Sequence, residues 1–175
     1  MKKILAFGAS SSRNSINKQL ATYTASLFQD PTIVVLDLND YEMPIYSVDK
    51  EKENGIPQLA IDFYNKITNT DLLVVSMAEH NGGYSSAFKN ILDWTSRYNN
   101  AVFQEKPMLL MATSPGARGG SSVLDIAKNR FPRNGANVVA TFSLPSFNDN
   151  FDKEKGISNE ELKSQLLAIV SSIVI

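Results

Sequence analysis

Short apolar runs alternate with amphipathic segments along the 175 residues. Lys3–Gly8 (KILAFG) is a continuous apolar run of strand length. Ile16, Leu20, Tyr23, Leu27 and Phe28 follow at helical spacing. Thr32–Leu38 (TIVVLDL) is rich in β-branched residues and predicts a second strand. Asn39–Gly55 is polar, contains Pro44 and a charge cluster from Asp49 to Glu53, and reads as a loop. Ile56, Leu59, Phe63 and Ile67 restore a helical face. Asp71–Met77 (DLLVVSM) predicts the third strand, and a loop containing HNGGYSS follows it. Ala87, Phe88, Ile91, Leu92 and Thr95 mark a helix running to about Tyr98. Pro107–Thr113 (PMLLMAT) is the fourth strand, Ser114–Gly120 a glycine-rich loop, and Val123, Leu124, Ala127 and Phe131 the next helix. Ala136–Leu144 (ANVVATFSL) is the fifth strand, Pro145–Ile157 an irregular polar stretch, and Leu162, Leu166, Ile169, Val170 and Ile173 a closing helix.

Strands that are apolar throughout, joined by helices, imply a parallel sheet covered on both faces. Right-handed crossovers leave few topologies. Five such units favour a doubly wound α/β fold with strand order 2-1-3-4-5, which binds ligands beyond the carboxyl ends of its strands. The length, with no internal repeat or linker, predicts one domain over residues 1–175.

Composition narrows the function. The chain is 43% hydrophobic and 20% charged, with 17 basic against 18 acidic residues and a net charge of -1. That balance leaves no electrostatic footprint for nucleic acid. The absence of cysteine removes disulfides, thiolate nucleophiles, Fe–S clusters and cysteine zinc sites, and fits a reducing compartment. The apolar run after Lys2 and Lys3 is shorter than the roughly 7–15 residues of a signal-peptide core. No stretch approaches the about 20 apolar residues of a membrane span. A cytoplasmic protein with no membrane or nucleic-acid partner is expected.

In a doubly wound fold the loops after strands one, three and four converge on one crevice. These are the three loops of unusual composition. The first, Ala9 to Asn17, packs four serines, two asparagines and Arg13 at a helix start. Such a start offers unpaired N–H groups and partial positive charge to a phosphate, and Arg13 can add a charge-assisted bond. The plainer alternative is an ordinary N-cap. Neither the spaced glycines of a dinucleotide fingerprint nor Gly-Lys-Ser/Thr is present, so a phosphate monoester is favoured over a pyrophosphate or triphosphate. The second loop, Met77 to Ser85, holds Gly82 and Gly83, which allow close backbone approach to a flat ligand or a tight turn before a helix capped by Ser85. His80 is the only histidine; alone it forms no metal cluster, and it reads as a loop residue near the ligand. The third loop, Ser114 to Gly120, signals close approach or simply a turn, with Arg118 directed to ligand or to solvent.

The first loop resembles the phosphate loop of the NAD(P)H-dependent FMN reductases, a flavodoxin-like family that includes quinone, chromate and azo reductases. Ala78-Glu79-His80-Asn81 followed by Lys89-Asn90-Ile91-Leu92-Asp93-Trp94 resembles its Pro-Glu-Tyr-Asn loop and Lys-Asn-x-x-Asp-Trp helix, and Ser114 to Gly120 its third loop. The resemblance implies that Ser10, Ser12, Arg13, Ser15, Ile16 and Asn17 hold the FMN phosphate. It implies that Met77, Glu79, His80, Asn81 and Gly82 line the isoalloxazine, and that Ser114, Gly116 and Gly119 flank the flavin. It further implies a homodimer or homotetramer with the Asp93–Trp94 helix at an interface, although Trp94 is equally well explained as core. Ala78 for the family's Pro, His80 for its Tyr, and Ser121-Ser122 after the glycines are departures. They bear on substrate access and nicotinamide preference rather than on flavin contacts made by backbone.

The implied activity passes electrons from NAD(P)H through FMN to a small acceptor: a quinone, free flavin, metal oxyanion or azo compound. Flavin chemistry needs position and electrostatics from the protein, so no catalytic side chain and no metal ligand is assigned. On this reading Arg13→Ala weakens FMN by about 1.5–3 kcal/mol. The competing readings are a flavodoxin-type electron carrier that does not oxidise NAD(P)H directly, and a flavin-less binding protein of the same fold.

Overall fold

Five apolar runs form one parallel sheet in a computed structural model that describes residues 2–174. Numbering only the strands of this sheet, β1 is Lys3–Ala9, β2 Thr32–Leu36, β3 Leu72–Met77, β4 Pro107–Thr113 and β5 Asn137–Leu144. Their order is β2-β1-β3-β4-β5, as the alternation of runs and helices predicts. Phe7 of β1 lies opposite Leu36 of β2 and Val75 of β3, and Val75 opposite Leu110 of β4. The helices are α1 (Ile16–Ser26), α2 (Val48–Asn54), α3 (Gln58–Thr68), α4 (Ser86–Tyr98), α5 (Ser121–Arg130) and α6 (Glu160–Ser172).

Side chains alternate across a strand, so each strand feeds two cores. Leu5, Phe7, Leu73, Val75 and Leu110 pack beneath α3, α4 and α5 with Phe63, Phe88, Trp94 and Phe131. Ile4, Ala6, Leu72, Val74 and Leu109 pack against Leu20 and Ala21 of α1 and Leu166 and Val170 of α6. Burying each large side chain here is worth about 1.5–3 kcal/mol. Gly8 sits where α1 crosses β1: a Cβ there would stand 2.3 Å from the Lys18 amide nitrogen. The missing side chain lets the helix start come down onto the strand end.

Two polar stretches contain more structure than their composition predicts. The stretch 39–55 holds most of a 3₁₀ turn, Leu38–Tyr41, and all of α2. Ser47 caps α2 by accepting from the Lys50 N–H, Asp49 and Glu51 lie in its first turn, and Gly55 closes it. Because α2 has no buried residue, apolar spacing does not reveal it. It is held from outside. Trp94 donates to the Pro44 carbonyl at 2.7 Å, Asn90 accepts from the Tyr46 N–H, and Arg97 pairs with Glu51 at 2.9 Å. Trp94 itself is core, 1% exposed. Residues 145–157 hold a helical turn, Phe147–Asn150, and a ribbon pairing Phe151–Asp152 with Gly156–Ile157. Buried Phe147 and Ile157 anchor this segment.

The second strand ends at Leu36 because the Asp37 carboxylate accepts from the Asn39 N–H and turns the chain. Lys18 of α1 bonds the same carboxylate at 2.6 Å and, with that amide, holds its pKa down at about 2. A carboxyl with a lowered folded pKa contributes stability above its ordinary value near 4, which is lost as pH falls toward 2. The pair is partly exposed, so the contribution is below about 1 kcal/mol. Lys18→Met should therefore cost stability in denaturant titrations at pH 6, with the gap to the native chain closing between pH 4 and pH 2. A gap independent of pH would contradict this. No helix among the described residues is long and apolar enough to cross a membrane.

Candidate cofactor-binding crevice

The carboxyl ends of β1, β3 and β4 deliver their loops to one crevice of about 240 Å³. Of the residues expected there, Ser10, Ser12, Ser15, Ile16, Asn17, Glu79, His80 and Ser114 line it. Local bonds shape the first loop. The Ser12 N–H donates to Ser10 Oγ at 3.1 Å, and the Ser15 N–H to the Ser12 carbonyl at 3.0 Å. Ser15 Oγ then caps α1 by accepting from the Lys18 N–H at 3.1 Å. The N–H groups of Ile16 and Asn17 open the helix and have no intrahelical carbonyl to bond. The plain cap and the anion seat are therefore one structure: Ser15 satisfies the third amide of the helix and leaves the first two.

Two first-loop residues stand elsewhere than their type predicts. The Asn17 side chain, 3% exposed, accepts from Ser76 Oγ at 2.7 Å and the Thr113 N–H at 3.1 Å, and donates to the Thr113 carbonyl at 3.2 Å. It stitches α1 to β3 and β4, and offers the crevice only its backbone N–H. Arg13 is exposed and lines a neighbouring groove along α1 instead of the crevice.

The second loop is a hairpin, not an irregular loop. Glu79 pairs with Tyr84 and His80 with Gly83. Asn81 and Gly82 form its tip with φ of 52° and 76°, the type I′ geometry that Asn-Gly favours. Both sit at the turn tip and are not among the residues that line the crevice, which His80 beside them does line. The Glu79 carboxylate accepts from the Val123 N–H at 3.1 Å. It supplies the cap that Gly120, at the α5 N-cap, cannot, and its charge suits a helix start. Its negative charge is so engaged at the edge of the crevice. Met77 is fully buried, is paired through its backbone with Ala9 and Ala112, and is not among the residues that line the crevice. Ser85 caps α4 and donates to the Ala9 carbonyl at 2.8 Å, tying the hairpin to the end of β1. Tyr84, which sequence reasoning passed over, packs on Phe88 and Phe131. Its buried hydroxyl has no hydrogen-bond partner among the described residues, and burial pushes its pKa up to about 12.

In the third loop only Ser114 reaches the crevice among the three expected residues. The Gly116 carbonyl accepts from the Gly119 and Ser146 N–H groups. A Cβ on Gly119 would stand 2.4 Å from Ser143 Oγ, so this glycine serves packing against the end of β5. Arg118 bonds Ser122 on the surface. Among the described residues no group of three or more His, Asp or Glu side chains is placed to hold a metal.

The donor set suits a flavin mononucleotide: two free helix N–H groups and three serine hydroxyls for a phosphate, and hairpin main chain beside it for a polar ring edge. A family model described as NADPH-dependent FMN reductase matches residues 2–149. The chain belongs to this family. Its members are oxidoreductases that use FMN as cofactor and NAD(P)H as cosubstrate. The chain is 28% identical over 153 residues to an uncharacterized protein of Mycoplasma pneumoniae, covering 85% of this chain and 90% of that protein. It is 36% identical over 119 residues to a 2-hydroxy-1,4-benzoquinone reductase of Burkholderia, covering 67% of this chain and 63% of that enzyme. The solved structure of FerB, a flavoenzyme NAD(P)H:(acceptor) oxidoreductase of Paracoccus denitrificans, superposes with a TM-score of 0.76. It is 21% identical and covers 98% of this chain and 94% of that one, which shows the shared fold.

Proposed function

We propose that the crevice seats FMN and that the chain is an NAD(P)H-dependent reductase of a small acceptor such as a quinone. The observation that carries this is the convergence of the three loops on a helix start whose first two N–H groups are free. Ile16 and Asn17 hold the phosphate through these N–H groups, with the Ser10, Ser12 and Ser15 hydroxyls around it. The 79–84 hairpin and Ser114 border the ring. When bound, FMN would supply the redox chemistry, hydride acceptance from a nicotinamide and electron delivery to the acceptor. The protein's share is to position the ring and to hydrogen-bond the phosphate. No side-chain acid or base is assigned, since His80 is exposed and the Glu79 carboxylate is engaged on α5. His80 in place of the family's Tyr, and Ala78 in place of its Pro, bear on which acceptor enters.

One domain, a cytoplasmic location and a homodimer or homotetramer complete the proposal. Exposed Ile45 and Val48, on the segment that Asn90 and Trp94 clamp to α4, support a face between copies.

Ser12→Asp tests the phosphate seat. Ser12 is exposed, and its side chain holds nothing in the fold, so stability should stay within a few degrees of the native chain. A carboxylate there faces the phosphate, and repulsion at partly solvated range should weaken FMN by about 10- to 100-fold. An FMN dissociation constant unchanged in a fluorescence-quenching titration would remove the first loop from the phosphate site.

A further inference from the structure

A groove of about 600 Å³ runs along α1, between that helix and the Phe151–Ile157 ribbon. Asn14 and Ser15 line both this groove and the crevice, so a phosphate on the first loop stands at their junction. We infer that the groove is a seat for the adenosine 5′-phosphate portion of a dinucleotide. The inference rests on the reading of the first loop as a phosphate seat.

The groove carries the three kinds of contact an adenylate uses. Tyr23 and Phe151 give it an aromatic surface, edge to face at 5.6 Å, suited to a base. Arg13 and Lys153 border it, and neither has an ion-pair partner among the described residues. Lys18 also lines it, with its ammonium engaged by Asp37. Gln19 and Thr22 offer amide and hydroxyl groups for a ribose or base edge. Glu154 is the one carboxylate on the lining, so the charge there favours a phosphate.

The groove is also built rather than incidental. Gly156 has φ of 77°, and a Cβ on it would stand 2.0 Å from the Tyr23 ring. The ribbon can hold the ring only with glycine there. The Asp152 carboxylate accepts from the Glu154 and Lys155 N–H groups at 2.8 and 2.9 Å, fixing the turn that presents Lys153. An inorganic anion would need no aromatic surface, and an apolar peptide would not need the cations. A volume of this size is within the range of small-molecule sites.

The adenylate can come from FAD, with its FMN half in the crevice, or from NAD(P)H. The test uses Lys153→Glu, an exposed ribbon position outside the crevice, and three readouts on the full chain. In the first, 5′-AMP is titrated and followed by NMR. Saturable binding that shifts Tyr23 ring signals, weakened at least about fivefold by the substitution, supports the seat. In the second, the FAD-to-FMN ratio of dissociation constants rises at least about fivefold in the variant if FAD is the source. In the third, KM for NAD(P)H rises by a similar factor, with kcat and FMN affinity unchanged, if the nicotinamide cosubstrate is the source. AMP that fails to bind at millimolar concentration, or binds both chains alike, overturns the inference. AMP that binds as described to a chain that takes up no FMN or FAD supports the seat and contradicts the crevice reading instead.

Discussion

Gly8→Ala will lower the melting temperature by roughly 10 °C and weaken FMN together with it. The added methyl would meet the Lys18 amide nitrogen at 2.3 Å, the Asn17 carbonyl carbon at 2.7 Å and the Lys18 Cα at 2.8 Å. All three are backbone atoms, which cannot rotate aside as a side chain does. Relief requires α1 to lift from β1, at about 3 kcal/mol, the upper part of the range for overpacking. The same movement displaces the N–H groups of Ile16 and Asn17, so the binding loss follows from the packing loss. Thermal unfolding and an FMN titration measure the two effects. A variant with native stability would show that the helix start is not seated as described.

Asn17→Ala will destabilise by about 3 kcal/mol, from the loss of buried hydrogen bonds that leave their partners unpaired. Its side chain satisfies the Ser76 hydroxyl and both the N–H and carbonyl of Thr113, none of which is exposed to water. The contrast with Ser12→Asp is informative. Alanine at 17 should lower the melting temperature by roughly 6–12 °C, while its backbone N–H still faces the phosphate. At temperatures where the variant is folded, FMN affinity should fall far less than in Ser12→Asp. The reverse pattern, native stability with lost FMN, would return the Asn17 amide to the ligand.

These positions show what a sequence carries and what it hides. The three inner strands were legible because β1, β3 and β4 are buried on both faces, which writes a continuous apolar run into the chain, and the partly exposed edge strands β2 and β5 were legible through their β-branched residues. The first loop's many serines left its cap, Ser15, unassigned, while Ser85 was legible as a cap, since capping is a local bond. The role of Asn17 was not, because its partners lie at positions 76 and 113 and only the folded sheet brings them near. Arg13 has the right chemistry for a phosphate but lines the groove along α1 instead of the crevice, a matter of direction that spacing alone does not give. The hairpin had a signal in Asn81-Gly82, yet its arms of two residues are too short to show alternation. Helix α2 buries nothing, so only its Ser47 cap, acidic first turn and Gly55 end could have revealed it. Glu79 as the cap of α5 bridges two loops 44 positions apart and left no local trace.

The central claim is that this chain binds FMN and reduces it with NAD(P)H unaided. The most direct measurement is the visible absorption spectrum of the protein after incubation with FMN and desalting, recorded anaerobically before and after NADPH or NADH. Flavin bands that remain with the protein and bleach when a nicotinamide is added are the expected result. Retained bands that persist with both nicotinamides would make the chain a carrier reduced by a partner, and no retained flavin would leave the fold without the reductase; either result contradicts the account.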